Sequence, residues 1–289
     1  MDNNIKELKK DEFPIQLLEI PQPPEHLFIR GEMPAKDSVL LTVVGSRKYS
    51  NYGKDICEKL IKGLRGFNVV IVSGLALGID TIAHKSAIDS NLQTIAVPGS
   101  GLDEKVLYPA TNKILARKII ENGGGLLSEF ESTFQATPWS FPKRNRIMAG
   151  ISQATIVIEA EERSGTLITA RMSLDYNKDV LAVPGSVFSK NSSGTNNLLR
   201  QGATPITSSE ELLDALGFNV NKNNLKQKQL DFKECSAKEK TVLKIISTPT
   251  PRDEVIRKLN ISASEATVIL SAMEIKGFIK ESGGKIHIN

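Results

Sequence analysis

The chain has 289 residues, of which 40% are apolar and 24% charged, and a formal net charge of +4. That length and balance suit one large and one small packed core, and they exclude fibrous, collagen-like and disordered classes. No apolar run reaches the roughly 18 residues of a membrane span, and MDNNIKELKKDEFP lacks the apolar stretch of a secretory signal, so a cytoplasmic setting with no membrane partner is expected.

Residues 1–38 read as an irregular lead-in. Pro21, Pro23, Pro24 and Pro34 deny it long helices, while Phe13 to Ile20 and Leu27 to Ile29 suit short extended pieces. From Val39 strands and helices alternate. VLLTVVG (39–45) is a continuous apolar run, as a strand buried on both faces requires. Asn51 to Leu64 carries Ile56, Leu60, Ile61 and Leu64 at helical spacing. NVVIVSG (68–74) and QTIAVPG (93–99) predict two more strands, followed by helices over Ala76 to Asp89 and Asn112 to Glu121. Shorter strands at Gly125–Ser128, Thr155–Glu159 and Asp179–Pro184 alternate with helices near Arg144–Ile151, Thr166–Tyr176 and Thr195–Arg200, and a helix over Ser209–Leu216 closes the series. This alternation predicts a doubly wound, mostly parallel α/β sheet over residues 39–217. IAVPGS (95–100) recurs as LAVPGS (181–186), which places tight turns at the carboxyl ends of strands, the edge where open α/β sheets bind ligands.

The polar stretch 218–231 reads as a linker. Residues 232–289 predict helices over Ala237–Ile246, Arg252–Leu259 and Ser262–Gly277, introduced by the breakers Pro249 and Pro251. Ser262 and Glu265 form a capping-box pattern, and FIKESGGKIHI (278–288) predicts a ribbon turning at Gly283-Gly284. Three helices closed by a hairpin make a winged-helix pattern.

Positive charge is unevenly spread. Acidic residues are absent from 38–54, 105–120, 133–158 and 180–209, and most of these stretches also hold glycine-rich turns, which together give a local field suited to a polyanion. Gly45-Ser46-Arg47, followed by Lys48, ends the first strand where a Rossmann chain places its phosphate loop. It is neither a GxGxxG fingerprint nor a P-loop; Arg47 is either a solvated arginine or a bidentate phosphate ligand. Ser73-Gly74-Leu75-Ala76-Leu77-Gly78 ends the second strand, where Ser73, Gly74 and Gly78 permit close backbone approach at a helix N-terminus. Asp80 and His84, one turn apart, are better explained by packing than by a metal.

In Phe141-Pro142-Lys143-Arg144-Asn145-Arg146, Pro142 fits the first position of a helix. Three cations then occupy its first turn, each costing roughly 0.3–1 kcal/mol against the macrodipole where exposed. An external anion would relieve that conflict. Trp139 and Phe141 offer base stacking, with core packing as the alternative, and basic residues beside aromatics match single-strand recognition better than duplex reading. Ser164-Gly165-Thr166, after Glu159 and Arg163, is a third small-residue turn able to hold a phosphate or ribose, or a plain tight turn. Cys57 and Cys235 fall in segments assigned to different domains, against a disulfide or zinc cluster. With three dispersed histidines and no GxSxG, HExxH or placed carboxylate dyad, no catalytic residue, metal or cofactor is expected.

Seven motifs in one order, GSR (45–47), SGLALGID (73–80), VPGSGLDEKVLYP (97–109), FPKRNRIMAGIS (141–152), EAEERSGTLITA (159–170), AVPGS (182–186) and GTNNLLRQGA (194–203), resemble the DprA/Smf family of DNA-processing proteins. The resemblance implies an extended Rossmann domain that forms a homodimer, binds single-stranded DNA and hands it to the RecA recombinase in natural transformation, without enzymatic activity. It places Arg47 and the Lys143 to Arg146 stretch in the DNA pocket. Family members often carry an N-terminal helical domain, for which this chain has only the 38-residue lead-in. Two other readings compete. One is a nucleotide-hydrolysing enzyme of the lysine-decarboxylase-like Rossmann group, with Ser164-Gly165-Thr166 on a phosphate and Glu159 as acid, although the PGG-x-GT-x-x-E pattern is not intact. The other is a winged-helix regulator sensing a nucleotide. The predicted third helix of the small unit is poor in cations, which leans that unit toward a protein-contact or regulatory role.

Overall fold

The computed structural model describes residues 4–218, 236–246, 250–276, 278–282 and 284–288. The expected linker beyond Phe218, together with Cys235, Pro249 and Gly283, lies outside the described residues. The chain divides into two compact units, Met1–Asn219 and Val220–Asn289.

The first unit is built on strands β1 (Ile5–Glu7), β2 (Phe28–Gly31), β3 (Val39–Val44), β4 (Val69–Ser73), β5 (Thr94–Ala96), β6 (Gly125–Ser128), β7 (Ala154–Val157), β8 (Asp179–Ala182) and β9 (Thr204–Pro205). Its helices are α1 (Ile15–Leu18), α2 (Asn51–Lys62), α3 (Ile79–Asp89), α4 (Lys113–Glu121), α5 (Ser140–Ile151), α6 (Gly165–Asp175), α7 (Lys190–Arg200) and α8 (Ser209–Ala215). The strands form one sheet in the order β1-β2-β6-β5-β4-β3-β7-β8-β9. From β6 to β9 every pairing is parallel. The apolar runs explain this: β4 is buried at all five positions, as a strand covered by helices on both faces must be. The chain winds outward from β3 to β6 and then returns through α5 to β7, on the other side of β3. The β3/β7 boundary is therefore the topological switch point, where the loops at the carboxyl ends diverge and leave a crevice.

The lead-in is not irregular. β1 and β2 pair antiparallel and extend the sheet beyond β6. Leu17 and Leu27 are fully buried, and Phe13, Leu17 and Ile20 share the core that contains Ile147, Met148 and Ile151 of α5. Pro21, Pro23 and Pro24 do interrupt the chain, but only between α1 and β2. Phe13 to Ile20 holds a helical turn where extended chain was expected, and Arg30 of β2 is a buried arginine.

The helix expected from Arg144 begins at Ser140, so Pro142 occupies its third position. The missing N–H is still one of those left unpaired in a first turn. The helix expected over Thr195–Arg200 begins five residues earlier, at Lys190, and the other expected elements agree with the observed ones within about three residues at their ends.

The second unit contains α9 (Ala237–Ile245), α10 (Arg252–Leu259) and α11 (Ala263–Ile275), with the ribbon β11 (Ile279–Ser282) and β12 (Lys285–Ile288). A short strand β10 (Thr250–Pro251) pairs with β12 and was not expected. Val242, Ile246, Val255, Leu270 and Met273 pack beneath the ribbon residues Ile279 and Ile286. The capping box belongs to Ser236 and Glu239. At Ser262 only half of it forms: Ser262 Oγ accepts from the Glu265 N–H, while the Glu265 carboxylate pairs with Lys238.

Candidate functional site

A cleft of about 540 Å³ opens at the β3/β7 switch point. Its walls are the Gly45–Lys48 loop after β3, one side of α5 from Phe141 to Met148, and the turn from Glu161 into α6. Gly45 is required here: a Cβ on it would lie 2.7 Å from the Ile79 side chain, so only glycine lets β3 end against α3. The loop is pinned from both sides, Ile79 N–H donating to the Ser46 carbonyl at 3.2 Å and Thr166 Oγ1 donating to the Gly45 carbonyl at 3.1 Å. Ser46 Oγ accepts from the Lys48 N–H at 3.0 Å.

This frame leaves Arg47 exposed at the mouth. Its guanidinium carbon lies 5.7 Å from the centre of the Phe141 ring, and among the described residues it forms no ion pair or side-chain hydrogen bond. Lys48 and Arg163 are likewise exposed and unpaired in the same cleft. At the third wall Ser164 caps α6, its hydroxyl accepting from the Thr166 N–H at 3.2 Å. Beside it Gly165 faces open space, which exposes the positive end of the α6 dipole to the cleft.

Of the residues picked out in the sequence, Gly45, Ser46, Arg47, Lys48, Phe141, Arg144, Asn145, Ser164, Gly165 and Thr166 are brought together here. Others are not. Ser73 is fully buried and donates to the Val43 carbonyl at 2.7 Å. The Gly74 N–H is taken by Asp80 Oδ2 at 3.0 Å, and Ala76 N–H by the same oxygen at 3.4 Å, so these loop donors meet a side chain of the chain itself; α3 begins only at Ile79, whose N–H goes to the Ser46 carbonyl. Gly78 adopts φ +86° because the loop lies against it; a Cβ would fall 2.3 Å from the Ser46 carbonyl. Trp139 packs edge-on against Phe130 and Phe134 while half exposed, away from the cleft lining.

The basic stretch divides as well. Arg144 is 4% exposed and donates through Nη1 to the carbonyls of Gly74 and Val97 and through Nε to Asn145 Oδ1. It therefore ties α5 to the ends of β4 and β5. Burial lowers its pKa to about 10, against the pull of Asp80. Burial likewise raises the Asp80 carboxyl, while Arg144 and the two loop N–H groups pull it back down. Arg146 is 8% exposed and donates to the Gln22 carbonyl and to Glu129. Lys143 lies 3.1 Å from the same Glu129 carboxylate, over Phe130 and Trp139. Because α5 begins at Ser140, Arg144 and Arg146 are its fifth and seventh residues, beyond the first turn, so the expected conflict with the helix dipole largely disappears, and their charges meet carbonyl groups and Glu129.

Arg163, which precedes Ser164-Gly165-Thr166 in the sequence, joins them in the cleft. Glu159 is buried beneath α2, accepting from Ser50 N–H at 2.9 Å and Ser50 Oγ at 2.5 Å, and does not line the cleft. His84 is fully buried with Nδ1 2.7 Å from Thr94 Oγ1, and burial drives its pKa down to about 3. Among the described residues no group of three His, Cys, Asp or Glu is placed to hold a metal ion, and no described helix is long and apolar enough to cross a membrane.

The sequence model of DNA recombination-mediator protein A matches residues 4–217, and that of the DprA winged helix domain matches residues 233–285. Protein Smf of Escherichia coli is 41% identical over 208 residues, 72% of this chain and 55% of that protein. The chain therefore spans about half the length of that relative. DNA processing protein DprA of Streptococcus pneumoniae is 42% identical over 208 residues, 72% of each chain, and its crystal structure superposes with a TM-score of 0.67, covering 73% of this chain and 74% of that one. The Helicobacter pylori DNA processing protein A, whose structure addresses its single-stranded DNA binding mode, is 30% identical with a TM-score of 0.67, covering 75% of this chain and 98% of that one.

Proposed function

This chain belongs to the DNA recombination-mediator protein A family, and on that premise we propose that its switch-point cleft binds single-stranded DNA. The observation that carries the reading is Arg47: an exposed guanidinium with no ion-pair or hydrogen-bond partner among the described residues, laid over Phe141 at the carboxyl edge of a parallel sheet. A planar donor fork held there meets a phosphate bidentately, with Lys48, Arg163 and the α6 N-terminus adding charge and N–H donors. Phe141 and the half-exposed Tyr108, 5.6 Å apart, supply aromatic surface for bases without reading their edges. The Helicobacter relative, described as binding single-stranded DNA, supports the choice of ligand.

The chain acts in this reading as a mediator and not as an enzyme. A nucleotide hydrolase would need Glu159 as its acid, and that carboxylate is spent on the α2 cap. Hand-off of the strand to the RecA recombinase, action in natural transformation, a homodimer and a cytoplasmic setting rest on the family resemblance. The test is a competition titration. A dT oligomer should bind more tightly than mononucleotides and than duplex DNA of equal length. Preference for a mononucleotide, or hydrolysis of one, would favour the enzyme reading, and preference for the duplex would oppose the single-strand reading.

A further inference from the structure

The loop carrying Arg47 has two sides. Gly45 to Lys48 wall the cleft, whereas Tyr49, next in the chain, lines a second groove of about 660 Å³ between α2 and α3. Lys54 and Lys62 line this groove from α2, Arg65 from the turn after it, and Lys85 from α3. Its carboxylates are Glu58 and Asp89. Lys54 is 3.8 Å from Glu58. Lys62, Arg65 and Lys85 are exposed, and among the described residues their charged ends have no ion-pair or hydrogen-bond partner.

Helix electrostatics account for only part of this. Lys62 is in the last turn of α2, where the dipole favours a cation. Arg65 lies beyond that helix and Lys85 in the second half of α3 away from its end, so neither gains from a helix terminus in the same way. Three unpaired cations around one depression repel one another, and an anionic ligand offsets that repulsion.

Cleft and groove adjoin. Gly78, which lines the groove, lies against the Arg47 backbone: a Cβ on it would fall 2.6 Å from Arg47 Cα. Leu77, 48% exposed, lines the groove and also a small depression that it shares with Arg47, Phe141 and Tyr108. Tyr49 and Leu77 thus present apolar surface between two clusters of cations, an arrangement suited to a strand whose phosphates meet the cations and whose bases rest on the Tyr49 ring.

We propose that the α2–α3 groove is a second single-stranded DNA subsite, holding the phosphates of the same strand beyond the nucleotides seated at Arg47. The proposal rests on the cleft reading above and extends the binding path to cations, Lys62, Arg65 and Lys85, that lie outside the sequence motifs.

The experiment titrates two probes, dT oligomers of about 6 and about 20 nucleotides, within and beyond the site size of a single binding module. The proteins are the full chain and its Lys62→Ala/Arg65→Ala/Lys85→Ala variant, with a Lys62→Arg/Lys85→Arg variant as the charge-preserving control. The alanine variant should keep its melting curve and its affinity for the short probe, and lose about tenfold or more on the long one. Its salt slope on the long probe should be shallower by about two units, at about 0.7 per phosphate, and the arginine control should restore it. An unchanged long-probe affinity and slope, or equal losses on both probes, would overturn the groove. A wild-type chain that binds neither probe would instead overturn the cleft reading, and the groove with it.

Discussion

The guanidinium of Arg47 lies over the ring of Phe141, 5.7 Å from its centre, and that ring packs against Tyr108. The contact orients the arginine through its face and leaves its donor edge free. On the next turn of the same helix, Arg144 spends its donors on the carbonyls of Gly74 and Val97. Two arginines of one cleft therefore have opposite duties, Arg144 holding the strand ends together and Arg47 meeting what enters.

Replacing Arg144 should damage the fold more than the binding surface. Arg144→Met leaves the Asp80 carboxylate buried with only two N–H partners. It also strips the buried Gly74 and Val97 carbonyls of their donor, and each buried polar group left unsatisfied costs about 1–3 kcal/mol. Equilibrium urea denaturation should show a loss of that size, and adding Asp80→Asn should recover part of it. A loss under about 1 kcal/mol would mean that Arg144 does not hold β4, β5 and α5 together.

His84 predicts an acid dependence of stability. Its folded pKa is about 3, lowered from 6.5 by burial, so below pH 6.5 the unfolded chain binds a proton that the native chain does not. Stability is therefore complete above pH 6.5 and falls as pH drops toward 3. At pH 5 the loss from this one group is about 2 kcal/mol. Denaturation of wild type and His84→Gln at pH 7.5 and pH 5 should show the gap between them narrowing by that amount. A constant gap would show that His84 titrates alike in both states.

The salt dependence should follow the exposed cations and not the buried ones. Lys48→Ala/Arg163→Ala should make the slope of log affinity against log salt shallower by about 1.4 units on a dT oligomer, at about 0.7 per phosphate contact. Lys143→Ala should change it less, because Glu129 lies 3.1 Å from that ammonium. An unaltered slope in the double variant would remove both residues from the phosphate path.

Binding should survive removal of the small unit. Every cation of the cleft belongs to the first unit, so residues 1–217 should retain affinity for a dT oligomer within about tenfold, or roughly 1.4 kcal/mol. Titration of both chains at one salt concentration, with light scattering to follow assembly, provides the comparison. A hundredfold loss in a folded truncated chain would place the site elsewhere.

The parallel strands were legible because burial on both faces leaves runs such as Val69–Ser73 without polar interruption. β1 was not, and β2 only as the extended piece expected over Leu27–Ile29, because each has three or four residues in a proline-bearing stretch; β2 pairs with β6, far away in sequence, and β1 lies at the exposed edge. Gly45 and Gly165 both line the cleft, a place that small residues after parallel strands mark in a sequence. The basic helix was less legible. Charge in a sequence does not distinguish a phosphate from a carbonyl as the partner of an arginine, and Arg144 and Arg146 found Gly74, Val97 and Gln22. The acid-free stretch 133–158 hid this, because the neutralising carboxylate, Glu129, stands just outside it.

The most direct measurement compares dT-oligomer affinity for wild type and Arg47→Ala at fixed salt, with thermal melting of both. Arg47 contributes no hydrogen bond to the fold, so the melting curves should coincide while affinity falls at least about tenfold, roughly 1.4 kcal/mol for a bidentate phosphate contact. Equal affinities with coincident melting curves would contradict the account and remove Arg47 from the binding site.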